Sequence, residues 1–256
     1  MNLNLKGKTV VITGGATGMG FETAALFGLE GCSLAICGRR QAVLEEAGKK
    51  LEANGYPVLC KVADVTDFSQ VEAFADAVMD RFGKIDIWIN NAGMPVHKGM
   101  MEIGAEEWRQ LIDANLTSVF YGCKAAASRM KCHGGVILNA GSFQSFFPAA
   151  GSGPYGAAKA GVCSLTRSFA GELASMGIRV LTYIPGVIET PMAKVDNWMV
   201  ETKQQDNIPL PRLGTPSDIA NALVFLASDR AEYINGVSIE ITGGKFCVQN
   251  PRYSWE

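Results

Sequence analysis

The sequence predicts an α/β fold, a doubly wound parallel sheet of about seven strands with helices on both faces. Three observations point to it. Short apolar runs rich in β-branched residues alternate with longer helical patterns from one end of the 256 residues to the other. Most of those runs are apolar along their whole length, as strands covered on both faces must be. No low-complexity linker or fixed-period repeat interrupts the alternation, so one domain over residues 1–256 is the simplest organisation.

The strand patterns fall at residues 9–13, 33–37, 58–62, 85–89, 136–139, 179–184 and 237–241. Helical patterns lie between them, near 20–30, 42–54, 69–82, 105–130, 156–176 and 217–227. Right-handed crossovers between parallel strands place these helices on both sides of the sheet. Ligands on such sheets sit beyond the carboxyl ends of the strands, near the reversal in strand order, so the residues following each strand carry the functional signal.

Composition narrows the classes of function. With 48% hydrophobic and 19% charged residues, the chain has the profile of a folded globule. At this length it buries roughly 70 to 75% of its unfolded surface, and no disulfide framework is needed. Lys and Arg number 23 against 25 Asp and Glu, a net charge of -2, which gives no field to draw nucleic acid or an anionic membrane. The longest charge-free stretch, 132–158, is broken by Asn139, Gln144, Pro148 and Pro154, so it is not a membrane helix. The opening residues hold Asn2, Asn4 and Lys6 and no apolar run, from which a cytoplasmic protein is expected. Seven cysteines, none spaced C-x-x-C, and only His97 and His133 beside them predict reduced, apolar-type cysteines and no metal site.

The first strand ends at Thr13 and runs through Gly14, Gly15, Ala16, Thr17, Gly18 and Met19 to Gly20 at the start of a helix. Glycines let the backbone bend and approach a ligand closely, and the helix N-terminus favours an anion, so this turn suits a dinucleotide diphosphate. A NAD site usually places a carboxylate at the end of the second strand for the ribose 2′-hydroxyl. Here Gly38 is followed by Arg39 and Arg40, which suits a 2′-phosphate. NADP(H) is the expected cofactor, with NAD(H) as the alternative.

Tyr155 and Lys159 stand four residues apart, hence on one helical face. An ammonium beside a phenol stabilises the phenolate, and lowering a tyrosine pKa by about three units requires roughly 4 kcal/mol. Ser142 follows a buried strand at the binding edge, where its hydroxyl could hold a substrate oxygen.

In this combination the sequence resembles the short-chain dehydrogenase/reductases, the branch of single-domain chains of this length, over nearly its whole extent. The resemblance implies a Rossmann-type fold and an oxidoreductase. Asp64 and Val65 resemble the family's adenine contact, and Asn90, Asn91, Ala92 and Gly93 its central-strand segment beside the cofactor. Asn115, Ser142, Tyr155 and Lys159 match the catalytic tetrad. The resemblance implies that Tyr155 exchanges the substrate proton, Ser142 holds the carbonyl oxygen, Lys159 binds the nicotinamide ribose, and Asn115 anchors a relay water. Pro185, Gly186, Ile188 and Thr190 resemble the segment that closes over the nicotinamide. Two departures stand out: Gly141 precedes Ser142 where a second serine is frequent, and Thr242 stands where aspartate is common before paired glycines.

Met94, Phe143, Gln144, Val187, Met192, Trp198 and Met199 then form the expected substrate surface, with a lid over about residues 187–211. That lining suits bulky apolar ketones or secondary alcohols, such as steroid-like or alicyclic compounds. Two alternatives remain at this stage: a reductase of 3-oxoacyl groups on an acyl-carrier protein, and a non-catalytic NADP-binding sensor or scaffold. The partners expected are a small-molecule substrate and further copies of the chain in a homotetramer or homodimer, and the aromatic tail with Phe246, Tyr253 and Trp255 is expected to dock.

Overall fold

In the computed structural model the described residues are 2–190, 208–245 and 247–248. Seven strands form one sheet: β1 (Thr9–Thr13), β2 (Ser33–Gly38), β3 (Val58–Val62), β4 (Ile87–Asn90), β5 (Gly135–Ala140), β6 (Ile178–Pro185) and β7 (Ser238–Ile241). Their order is β3-β2-β1-β4-β5-β6-β7, and every pair is parallel. The chain therefore builds outward from β1 in one direction and from β4 in the other, which opens a crevice at the carboxyl ends of β1 and β4.

The helices are α1 (Gly18–Leu29), α2 (Gln41–Ala53), α3 (Phe68–Phe82), α4 (Ala105–Ile112), α5 (Ser118–Met130), α6 (Gly153–Leu173) and α7 (Pro216–Ala227). Because successive strand residues face opposite sides, Val10 and Ile12 pack toward α1, α2 and α7, while Val11 packs toward α3, α5 and α6. The fully apolar strand pattern thus becomes two separate cores.

Two helices differ from the sequence expectation near the crevice. The expected continuous helix over 105–130 is interrupted by a π-helical turn, Asp113–Thr117, that holds Asn115 fully buried. There the Asn115 amide donates to the carbonyls of Leu111 and Met94, both at 2.9 Å. Such single turns recur at functional sites because they re-aim one side chain inside an otherwise regular helix. Helix α6 starts at Gly153, three residues early, with Pro154 in its first turn, where the missing N–H leaves nothing unsatisfied. Tyr155 is consequently helical, as the pairing with Lys159 requires.

A string of buried polar groups crosses the sheet below the crevice. Trp88 Nε1 donates to Asn90 Oδ1 (2.8 Å), Asn90 to Asn139 (2.8 Å), Asn139 to Thr166 on α6 (2.9 Å), and Thr182 on β6 to the same Thr166 hydroxyl (2.7 Å). Among the described residues no buried side-chain nitrogen or oxygen lacks a partner. Such a string costs little when complete and much when broken. At the opposite end of the sheet, Arg179 caps α7 by donating to the Leu226 carbonyl in its last turn, and it ties the following loop by donating to the carbonyls of Ser228 and Ile234.

Candidate active site

The crevice is a groove of about 290 Å³ over the β1–α1 turn. Gly14 (φ +65°) and Gly18 (φ +55°) adopt left-handed conformations that other residues enter only under strain. Thr17 begins α1 without a side-chain cap, and the first turn carries no acidic residue, so the N–H groups there stay open to an anion. Gly14, Thr17, Gly18 and Met19 line the groove, as expected. Gly20 does not: a methyl there would run into the Gly14 carbonyl and stand 2.7 Å from Asn91 Nδ2, so this glycine serves packing behind the turn.

Arg39, Arg40, Asp64, Val65, Asn91, Ala92, Gly93 and Thr190 also line the groove, joined by Met94, which the sequence reading placed on the substrate surface instead. The end of β2 presents Gly38 and no carboxylate. Arg39 is largely exposed and reaches Asp64 at 3.9 Å, a surface pair worth little and easily exchanged for another anion.

The segment after β6 borders two cavities. Pro185 is the last residue of β6, in register with Ile241. Gly186, Val187 and Ile188 line a second cavity of about 370 Å³ with Leu210, Thr242 and Gly243, and only Thr190 faces the groove. Its backbone is held by local pairing: Gly186 N–H donates to the Ile241 carbonyl (3.0 Å), and Ile188 bridges to Gly214. Met192, Trp198 and Met199, most of the expected lid, and the aromatics of the tail lie outside the described residues.

The acid-base groups meet at the ends of β5 and α6. Lys159 is 2% exposed, and its ammonium donates to the Ala140 carbonyl at 2.7 Å while standing 5.6 Å from the centre of the Tyr155 ring. Burial lowers the Lys159 ammonium to about 8. Burial also raises the Tyr155 phenol, opposed by a hydrogen bond with Ser142. With burial the larger influence, the phenol stays protonated at neutral pH.

Ser142 opens a short 3-10 turn, Phe143–Ser145, and is fixed from both ends: its hydroxyl accepts from Gln144 N–H (3.2 Å), and its own N–H donates to Ser145 Oγ (3.3 Å). Gln144, expected on the substrate surface, is buried, and its amide oxygen accepts from Ser152, the residue before α6, at 2.5 Å. It braces the Ser142 turn against the helix that carries Tyr155. Phe143 lies under the Lys245 ammonium, 5.4 Å from its ring centre. Asn115 accepts from Met94 N–H (3.0 Å) and donates to Met94 and Leu111 carbonyls, so its side chain is spent on holding the Gly93 and Met94 backbone. Local sequence gave no sign of the Ala140 carbonyl or of Gln144 as a brace, because each contact joins separate elements.

The open turn, the left-handed glycines and the paired arginines fit a dinucleotide. A family model described as enoyl-(acyl carrier protein) reductase matches residues 14–245. The chain is a short-chain dehydrogenase/reductase. It is 38% identical over 246 residues to 3beta-hydroxysteroid dehydrogenase 1 of Eggerthella lenta, covering 94% of each chain. It is 37% identical over 247 residues to a 3-oxoacyl-(acyl-carrier-protein) reductase of Vibrio cholerae, covering 96% of this chain and all of that one. A crystal structure of a short-chain type dehydrogenase/reductase from Mycobacterium marinum superposes with a TM-score of 0.92 at 31% identity, covering 96% of this chain and 98% of the other. This dehydrogenase/reductase is thus an oxidoreductase of alcohol and ketone groups, from a family that binds a nicotinamide cofactor. Among the described residues no helix is long and apolar enough to cross a membrane, and no His, Cys, Asp and Glu cluster suits a metal.

Proposed function

We propose that the protein interconverts a ketone and a secondary alcohol with NADP(H), on a bulky apolar substrate of steroid-like or alicyclic type. The observation that carries this reading is the convergence on one phenol: Ser142 hydrogen-bonds Tyr155, and Lys159, anchored on Ala140, stands behind the ring. When bound, the nicotinamide supplies or accepts the hydride. The chain's residues do the rest. Ser142, which accepts from Gln144 N–H and donates to the Tyr155 oxygen, redirects its one proton to the substrate oxygen when substrate binds. Tyr155, kept neutral by burial, gives the proton that a developing alkoxide needs. Lys159 stabilises the phenolate left behind. The α1 N-terminus and Arg39 with Arg40 hold the diphosphate and the 2′-phosphate. Asn115 keeps the Gly93 and Met94 backbone in place along the groove.

The exposed Met94, Phe146 and Phe147 near the Ser142 turn support an apolar substrate, and residues 187–211 serve as its lid in this reading. The relative from Eggerthella lenta, a hydroxysteroid dehydrogenase by name, supports the same class. The near-equal identity to a 3-oxoacyl-(acyl-carrier-protein) reductase supports the second reading, reduction of a carrier-bound thioester. It ranks second because Arg129, a candidate carrier contact, is tied to Glu72 and Asp76 at 2.7 and 2.6 Å. A homotetramer in the cytoplasm is the assembly proposed, with the half-exposed Trp108 and Phe120 of α4 and α5 at the contact.

A panel of hydroxysteroids, alicyclic ketones, polyols and an acyl-carrier thioester, run with NADPH and with NADH, tests the assignment. Fastest turnover of a steroid or alicyclic ketone with NADPH is expected. Faster turnover of the thioester selects the second reading, and no turnover of any carbonyl compound leaves a dinucleotide-binding sensor. A monomer in light scattering would overturn the assembly.

A further inference from the structure

We propose that Tyr183 is a positioning residue for dinucleotide binding: from the far side of the crevice its phenol holds the Asn91 amide on which the glycine turn rests. Tyr183 lies on β6, fully buried, in register with Ala140 of β5. Beyond β5 come β4 and β1. The phenol crosses over the small Ala140 and donates to Asn91 Oδ1 at 3.2 Å.

An asparagine amide has an accepting end and a donating end, and a donor at the first fixes where the second points. Here Asn91 Nδ2 points at the turn and donates to the carbonyls of Thr13 (3.1 Å) and Gly14 (3.3 Å). The main-chain N–H groups of Asn91 and Ala92 both donate to the Thr13 hydroxyl, at 3.0 and 3.1 Å. With the two turn carbonyls tied inward, the groups left facing the groove are the N–H donors at the start of α1, which suits an anion. The amide also fills the floor of the turn: a methyl on Gly14 would stand 3.2 Å from Nδ2, and one on Gly20 2.7 Å. The amide thus occupies the space that a side chain at either glycine would need. Tyr183 lines neither cavity, and burial, with the Tyr155 phenol adding to it, pushes its own phenol far above the ordinary tyrosine value, so it acts as a neutral O–H donor.

The inference rests on the cofactor reading above, and the test separates the two. Wild type and Tyr183→Phe are titrated with NADPH by calorimetry, with steady-state kinetics alongside. Loss of one buried hydrogen bond predicts a Kd for NADPH about tenfold higher, a parallel rise in cofactor KM, and kcat at saturating NADPH within about twofold of wild type. Thr166→Val removes a buried hydroxyl on the opposite face of the sheet, where it bonds Asn139 and Thr182. It is expected to lower the melting temperature and leave the NADPH Kd within about twofold. Should Tyr183→Phe fail to fold, Asn91→Asp, which keeps the acceptor and removes the donor, must raise the Kd at least as much. An unchanged Kd in Tyr183→Phe or Asn91→Asp, or an equal rise in Thr166→Val, overturns the proposal. Binding of neither NADPH nor NADH by wild type overturns the cofactor reading itself.

Discussion

At the β1–α1 turn the molecule presents backbone to the crevice, whereas beyond the end of β5 and at the start of α6 three side chains, Ser142, Tyr155 and Lys159, do the presenting. The turn works through space and direction: glycines at φ +65° and +55°, an uncapped helix start, and carbonyls tied back by Asn91. The acid-base group works through desolvation, which raises the phenol and lowers the ammonium. Damage to the first should therefore appear as lost binding, and damage to the second as lost turnover or altered pH response.

The largest effect should come from the side-chain half. Tyr155→Phe removes the proton donor with almost no change of shape, so kcat is expected to fall by about 10³, with NADPH affinity retained in a calorimetric titration. Weakened binding with normal turnover would erase the contrast. On the backbone half, Gly20→Ala forces a methyl against the Gly14 carbonyl and Asn91. It should raise the NADPH Kd by about two orders of magnitude, and fluorescence titration would reveal any tolerance.

A reversed arginine comes next. Arg39→Asp places a carboxylate against the 2′-phosphate and should weaken NADPH by about 30-fold while leaving NADH nearly unchanged, measured as paired Kd values. The mildest test is pH. Lys159 titrates near 8, so it is charged below that pH and loses its charge above it. Reductive kcat/KM should decline as pH rises through about 8, by up to tenfold per unit, while Lys159→Met gives a low, flat profile. A decline that survives Lys159→Met would assign it to another group.

The contrast also explains what the sequence disclosed. The strand order of residues 9–13, 33–37 and 58–62, the glycine spacing and the Tyr155 to Lys159 interval are all short-range patterns, and the structure reproduces them. What stayed hidden depends on partners far apart in the chain. The π-helical turn at Asn115 answers the Met94 backbone 21 positions earlier. Gln144 turned inward because Ser152 offered it a partner, and the backbone of Gly186 and Ile188 pairs with Ile241 and Gly214, 55 and 26 positions away. The reach of Tyr183 to Asn91 spans 92 positions, and no local periodicity records it. Burial of the Tyr155 phenol stayed hidden for a related reason: charge spacing is visible in a sequence, and depth of burial is not.

The amide and hydroxyl chain from Trp88 through Asn90, Asn139 and Thr166 to Thr182 bears on how this protein can change over generations. Sliding β5 two places along β4 would keep every aliphatic side chain facing inward yet strand several amides against hydrocarbon, so the chain rejects a misaligned sheet that greasiness alone would tolerate. Lone replacements along it should be purged, and descendants that alter it should do so at two or three positions together.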